Sequence, residues 1–97
     1  MKLSQKQYLT DCIAEECAEI IQRCSKILRF GPDEIQPGHE LNNTQRLELE
    51  LNDLVGVLEM AYAAGVIVGQ PNRIHIEMKK RKLEQFMEYS RTQGTLF

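Results

Sequence analysis

Long apolar runs are missing from this sequence. The longest, around "MAYAAGVIVG", has about ten residues, where a membrane span needs roughly 20, so no segment is expected to cross a bilayer. The opening "MKLSQKQYLTDC" has neither an apolar stretch nor a small-residue cleavage site, so it is not read as a secretory leader, and a cytoplasmic protein is expected. An excess of positive charge is missing too. The net charge is -2 and the sequence pI is about 5.7. Domains that bind polymeric nucleic acid usually carry a net basic face, so that class of partner is not expected.

Cysteine is scarce and gives no framework. Cys12, Cys17 and Cys24 all fall in one predicted helix, and an odd count leaves one unpaired. Cys17 and Cys24 would stand two turns apart, about 10 Å along a helix, too far for a disulfide. Their spacing matches no zinc pattern. They are expected to be reduced thiols in the core. Strand signals, internal repeats and low-complexity segments are also lacking. So is the G-x-x-x-x-G-K loop of P-loop enzymes, which means that any phosphate recognition must come from a metal and side chains.

What remains is helical. The 97 residues, 42% hydrophobic and 27% charged, fit one small folded domain over 1–97. A first helix is expected from about Ser4 to Phe30, stopped by "FGP" with Gly31 as an αL cap. The loop "GPDEIQPGHELNN" follows, and loops of that length are often functional. A second helix should start with Asn43 or Thr44 as N-cap and run to about Ala64, with Gly65 ending it. Pro71 suits the first turn of a third helix that continues to about Arg91. The tail "TQGTLF" is expected either to be loose or to dock through Leu96 and Phe97. Three helices so joined leave apolar faces uncovered, so the expected fold is an all-α helical bundle completed by dimerisation.

Facing follows from the 100° turn per helical residue. Leu9, Ile13, Cys17, Ile20, Cys24 and Ile27 form an apolar stripe on the first helix. Glu16 sits at its margin, Glu19 one step further round, and Glu15 toward solvent. On the second helix Leu47, Leu51, Leu54, Val55, Leu58, Ala61 and Tyr62 make a wide apolar arc, extended by Val57 and Met60. Glu50 falls inside that arc and Asp53 near it, while Glu48 and Glu59 lie on the solvated face. An isolated buried carboxylate costs several kcal/mol or neutralises by shifting its pKa. Four of them beside one core make sense mainly if a cation joins them, and oxygen ligands suit magnesium or manganese. A lone E-x-x-E is common on solvated faces. The geometry alone leaves the metal site and the solvated face as open alternatives.

Glu16-x-x-Glu19 followed by Glu50-x-x-Asp53 resembles the E-x-x-E…E-x-x-D signature of the all-α nucleoside triphosphate pyrophosphatase superfamily, which includes MazG proteins, dimeric dUTPases and dCTP pyrophosphatases. The words "EECAEIIQRCSKILRFG" and "RLELELNDLVGVLEM" look most like MazG-like proteins of phage and bacterial origin, and the likeness covers about Glu15 to Tyr89. Residues 20–49 between the motifs are somewhat more than is usual there, the extra length being the loop with Pro37 and Gly38. The resemblance implies a homodimer or homotetramer that cuts a nucleoside triphosphate between the α and β phosphates, giving monophosphate and pyrophosphate. It implies that Glu16, Glu19, Glu50 and Asp53 hold magnesium, with manganese as the substitute. Glu19 and Glu50 are the candidates for the catalytic carboxylate that orients or deprotonates water.

A triphosphate also needs cations. On the third helix Ile76, Leu83, Phe86 and Met87 define the apolar side, with Lys79 among them and Lys82 and His75 on one edge. Lys79 and Lys82 are the first candidates for phosphate contact, and Lys26 and Arg29 the next. The competing reading of "KKRK" is a solvated face. Arg23 lies on the Glu16 side of its helix, where it is expected to pair with an acid. His39 and His75 are read as surface residues. Phe30, Tyr62, Phe86 and Tyr89 are available to stack on a base, with core packing as the default role, and the base-binding residues stay unknown. Two other functions fit the same sequence: a non-catalytic helical module that senses a nucleotide or pairs with a protein, and a hydrolase of a modified nucleotide or alarmone.

Overall fold

A computed structural model describes residues 1–97. The chain is all-α: α1 spans Gln5–Phe30, α2 Asn43–Ala63 and α3 Arg73–Thr92, with no strand. No helix is long and apolar enough to cross a membrane.

Each helix starts where a polar side chain can satisfy its free amides. At α1 the Gln7 amide donates to Ser4 Oγ at 3.1 Å, and the Ser4 amide donates to Gln7 Oε1 at 2.9 Å, a reciprocal capping box. Gly31 ends the helix with φ 96 and ψ 154. This is a positive-φ turn but not the αL cap expected, and it suits glycine for the same steric reason.

At α2 the cap is Asn42, not Asn43 or Thr44. The Gln45 amide donates to Asn42 Oδ1 at 2.8 Å, and the Asn42 amide donates to Gln45 Oε1 at 2.9 Å. Asn43 is freed for a different task. It is 1% exposed. Its Nδ2 donates to the Gly31 carbonyl at 2.8 Å and to Glu34 Oε1 at 2.9 Å. The Asn43 and Thr44 amides donate to the Glu34 and Pro32 carbonyls, and Arg46 Nη1 donates to Gln36 Oε1 at 3.1 Å. The irregular segment between the helices is therefore tied down along the first turn of α2. At α3 the cap is Asn72, which accepts from the His75 amide, so Pro71 precedes the cap instead of entering the first turn.

α1 and α2 pack as an antiparallel hairpin. Asn43 at the start of α2 meets Gly31 at the end of α1, while the Lys6 side chain near the start of α1 lies beside Gly65 just past α2. Leu9 and Ala61 are buried between them. Ile13, Ile20 and Ile27 of the expected α1 stripe, and Leu47, Leu54 and Leu58 of the α2 arc, are half-buried. Leu51, Val55, Cys17 and Cys24 are exposed. The cysteines are free as expected, but two of the three are not core residues of this chain.

α3 packs against neither α1 nor α2. The Cα radius of gyration is 17.3 Å, against about 13 Å for a compact chain of this length. The accessible surface is 7961 Å², against about 5,700 Å² for a compact monomer of this mass. The exposed surface includes large apolar side chains: Ile21 and Leu28 on α1, Ile74, Leu83, Phe86 and Met87 on α3. The tail turns back on the end of α3, where Arg91 Nε donates to the Phe97 carbonyl, but the Phe97 side chain is fully exposed and docks nowhere.

Candidate metal centre

The α1–α2 hairpin brings the two acidic motifs together. One carboxylate oxygen each from Glu16, Glu50 and Asp53 lies within 4.8 Å of the others. Glu19 stands beside them, its carboxyl placed to hydrogen-bond with both Glu16 and Glu50. Helix periodicity is the cause: residues three apart lie one turn apart on the same side, and the antiparallel packing sets one pair against the other. Glu15, Glu48 and Glu59 are exposed, as their helical positions require.

The electrostatics of this arrangement are unfavourable without a counter-ion. Glu50 is pushed up from 4.5 to about 7, first by the hydrogen bond with Glu19, then by burial and by the charges of Glu19, Asp53 and Glu16. Glu16 is raised as well, by burial first and then by the charges of Glu19, Asp53 and Glu15. Glu16 Oε2 and Glu50 Oε2 are buried and have no hydrogen-bond partner. A native fold rarely strands such atoms unless something else meets them.

These residues fit a divalent hard cation. The donors are all carboxylate oxygens, the chemistry that magnesium and manganese favour over zinc or copper. Both stranded oxygens belong to the cluster itself. Drawing oxygens from 4.8 Å apart onto one ion with bonds of about 2.1 Å needs only small side-chain movements. Glu16, Glu50 and Asp53 would hold the ion, with Glu19 adjacent.

The cations divide differently from the acids. Lys26 and Arg29 share a shallow open trough on α1 with Arg23. Lys79 and Lys82 are on α3, which touches neither acidic helix, so packing within one chain does not bring them to the cluster. The largest concave surface, about 700 Å³, also lies along α3 beside His75, Lys79, Arg81 and Lys82. It is an open trough on one helix, away from the acids, and its size says nothing about chemistry. A second concavity of about 420 Å³ does reach the cluster: Glu50 lines it with Arg46, Leu49 and residues 38–41 of the loop. Among the aromatics, Tyr62 is half-buried, while Phe30, Phe86 and Tyr89 are exposed and pack in no core of this chain. Arg29 lies 5.0 Å over the Phe30 ring and Lys82 lies 5.7 Å over the Phe86 ring.

Arg23 departs from expectation. It is 9% exposed and forms no ion pair; the three ion pairs of the chain are all on α3. Its Nη1 is buried without a partner.

No family model matches the chain, and neither a curated protein nor a solved structure matches it.

Proposed function

We propose that the chain is a magnesium-dependent nucleotide pyrophosphohydrolase of the MazG-like, all-α type, adding water across the α–β phosphoanhydride of an NTP or dNTP to give NMP and pyrophosphate. The observation that carries this reading is the convergence of Glu16, Glu50 and Asp53, with Glu19 beside them, on stranded buried oxygens. The resemblance of the two motifs to that superfamily supplies the reaction. A bound magnesium or manganese ion would neutralise phosphate charge and lower the barrier to attack by water. Glu16, Glu50 and Asp53 hold the metal position. Glu19, which stands beside Glu50 at the edge of that position, is placed to accept a proton from the attacking water. The loop residues 38–41 beside Glu50 form one wall of the nucleotide site.

The working unit in this proposal is a homodimer or homotetramer. Three observations support it. The surface surplus over a compact monomer is roughly 2,000 Å² per chain, the scale that obligate homodimers bury. α1 carries a second, outward seam of Ala14, Cys17, Ile21, Cys24 and Leu28, at alternating spacings of three and four and all exposed. Such a seam is the pattern of a helix with a further helical neighbour. α3 supplies a free apolar side of matching length, Ile76 to Ser90. A partner's α3 along this seam would set Lys79 and Lys82 beside α1 of the other chain, about a third of a turn around that helix from Glu16.

Purified protein incubated with magnesium and a panel of NTPs and dNTPs is the test. Pyrophosphate release from one or more of them is expected. The detachment of Lys79 and Lys82 from the acids within one chain favours a second reading, a nucleotide-sensing module without turnover. Nucleotide binding with no product would select it. Turnover confined to a modified nucleotide or an alarmone would keep the chemistry and change the substrate.

A further inference from the structure

Arg23 is the most buried cation of the chain, and it has nothing to balance it. Its guanidinium forms no ion pair, and Nη1 is enclosed without a hydrogen-bond acceptor. Glu50 can relieve its own burial by taking up a proton, as its raised pKa records. Arginine has no such escape, because its guanidinium does not lose a proton in a protein. A buried, unpaired, permanent charge is a strong destabilising element unless an anion completes it.

The position of Arg23 says which anion. It is seven residues from Glu16, so it lies about 10 Å further along α1 and points in nearly the same direction around the helix. Lys26 and Arg29 continue from it in one trough on α1. The side of α1 that contributes acids to the metal position therefore turns cationic two helical turns on. A polyphosphate with its reacting linkage at the acids would extend its remaining phosphates into a region of this sign.

We propose that Arg23 is an oxyanion-binding residue that takes a phosphoryl group of a polyphosphate ligand, in the paired N–H geometry that guanidinium offers to phosphate. Its orientation toward a nucleotide rests on the hydrolase reading above. The anion subsite itself does not, and it is testable without hydrolysis.

The experiment uses the full chain and inorganic tripolyphosphate, with and without magnesium, followed by calorimetry and by thermal unfolding. Wild-type protein is expected to bind and to gain Tm. Arg23→Gln is expected to weaken binding at least tenfold, while the ligand-free Tm stays level or rises, since an unpaired buried charge has gone. Arg23→Lys keeps the charge without the fork and should recover part of the affinity. A purely structural arginine behaves in the opposite way: Arg23→Gln would lower the ligand-free Tm and leave the affinity of the folded fraction unchanged. That result overturns the proposal, as does a wild-type protein that ignores tripolyphosphate. Should Arg23→Gln not fold, the Arg23 side-chain nitrogen resonances of the wild type decide. They shift on adding tripolyphosphate if the assignment is right, and their constancy overturns it. Tripolyphosphate binding without nucleotide turnover would sink the hydrolase and keep the subsite. Turnover untouched by Arg23→Gln would do the reverse.

Discussion

Glu19 and Glu50 face each other across the α1–α2 interface within hydrogen-bonding reach, and that approach is the first of the influences that raise the Glu50 pKa to about 7. The two carboxyls come from different helices and from the two different acidic motifs. Their pairing ties the hairpin geometry to the protonation state of the site.

A pH dependence follows for the metal-free protein. The Glu50 pKa rises on folding, from 4.5 to about 7, so the unfolded chain gives up this proton first. Below about pH 4.5 both states keep the proton and the group costs nothing. Between 4.5 and about 7 the folded state loses ground as pH rises, and above 7 the loss is complete. Glu16 is shifted in the same direction and adds to the trend. Chemical denaturation in chelator should show stability falling from pH 5 to pH 7.5. A flat or rising profile over that window would contradict the clustered acids.

Magnesium should reverse that loss. An ion that binds only the folded site stabilises by mass action, about 2.7 kcal/mol at a hundred times its dissociation constant. The gain should be larger at pH 7.5 than at pH 5.5, where Glu50 holds its proton. Glu50→Gln separates the two roles of this residue. It removes a repelled, half-buried charge, so the metal-free Tm should rise. It also removes a ligand, so the magnesium-induced Tm shift should shrink and pyrophosphate release should fall about 100-fold or more. Differential scanning fluorimetry with a magnesium titration reads the first two effects, and a pyrophosphate assay the third.

Asn43 tests the loop. Removing its side chain strands the Gly31 carbonyl at the point where α1 ends and frees Glu34. Asn43→Ala should cost about 1–3 kcal/mol, or roughly 4–8 °C of Tm for each kcal/mol in a chain of this size. Asn42→Ala loses one cap, about 1 kcal/mol. Urea midpoints of the two variants should therefore differ, with Asn43→Ala the weaker protein. Equal midpoints would mean that the loop is not anchored there.

These residues show how far helical periodicity reaches. The 100° rule placed Glu50 inside the α2 arc and Glu16 at the edge of the α1 stripe, and both are half-buried where the helices meet. The same rule put Arg23 on the Glu16 side, but an angle carries no information about whether a partner waits there. Asn42 carries the same side chain as Asn43, one of the two expected caps. Only the path of the loop, a tertiary property, decides which one caps and which is buried. For α3 the pattern marks an apolar side and a lysine edge, and the helix packs against nothing in this chain that would distinguish them. The pattern does not say which helix covers that side, because Ile76, Leu83, Phe86 and Met87 would suit a neighbour from the same chain or from another.

Ile21 decides that last question. It stands 69% exposed at the centre of the outward α1 seam, between Cys17 and Cys24. A glutamate there puts a charge into the exposed apolar seam, at the edge of the trough that Ile21 shares with Arg23, Lys26 and Arg29. If the seam is where a second copy sits, wild-type protein should exceed 11.2 kDa in light scattering, and Ile21→Glu should return it to that mass with its helical signal retained. Replacing Leu83 with cysteine adds a direct readout. A disulfide from that position to Cys17 or Cys24 of another chain appears as a dimer on a non-reducing gel. The same bond formed within one chain would mean that α3 folds back on its own hairpin, and the subunit-sharing of Lys79 and Lys82 would fall with it.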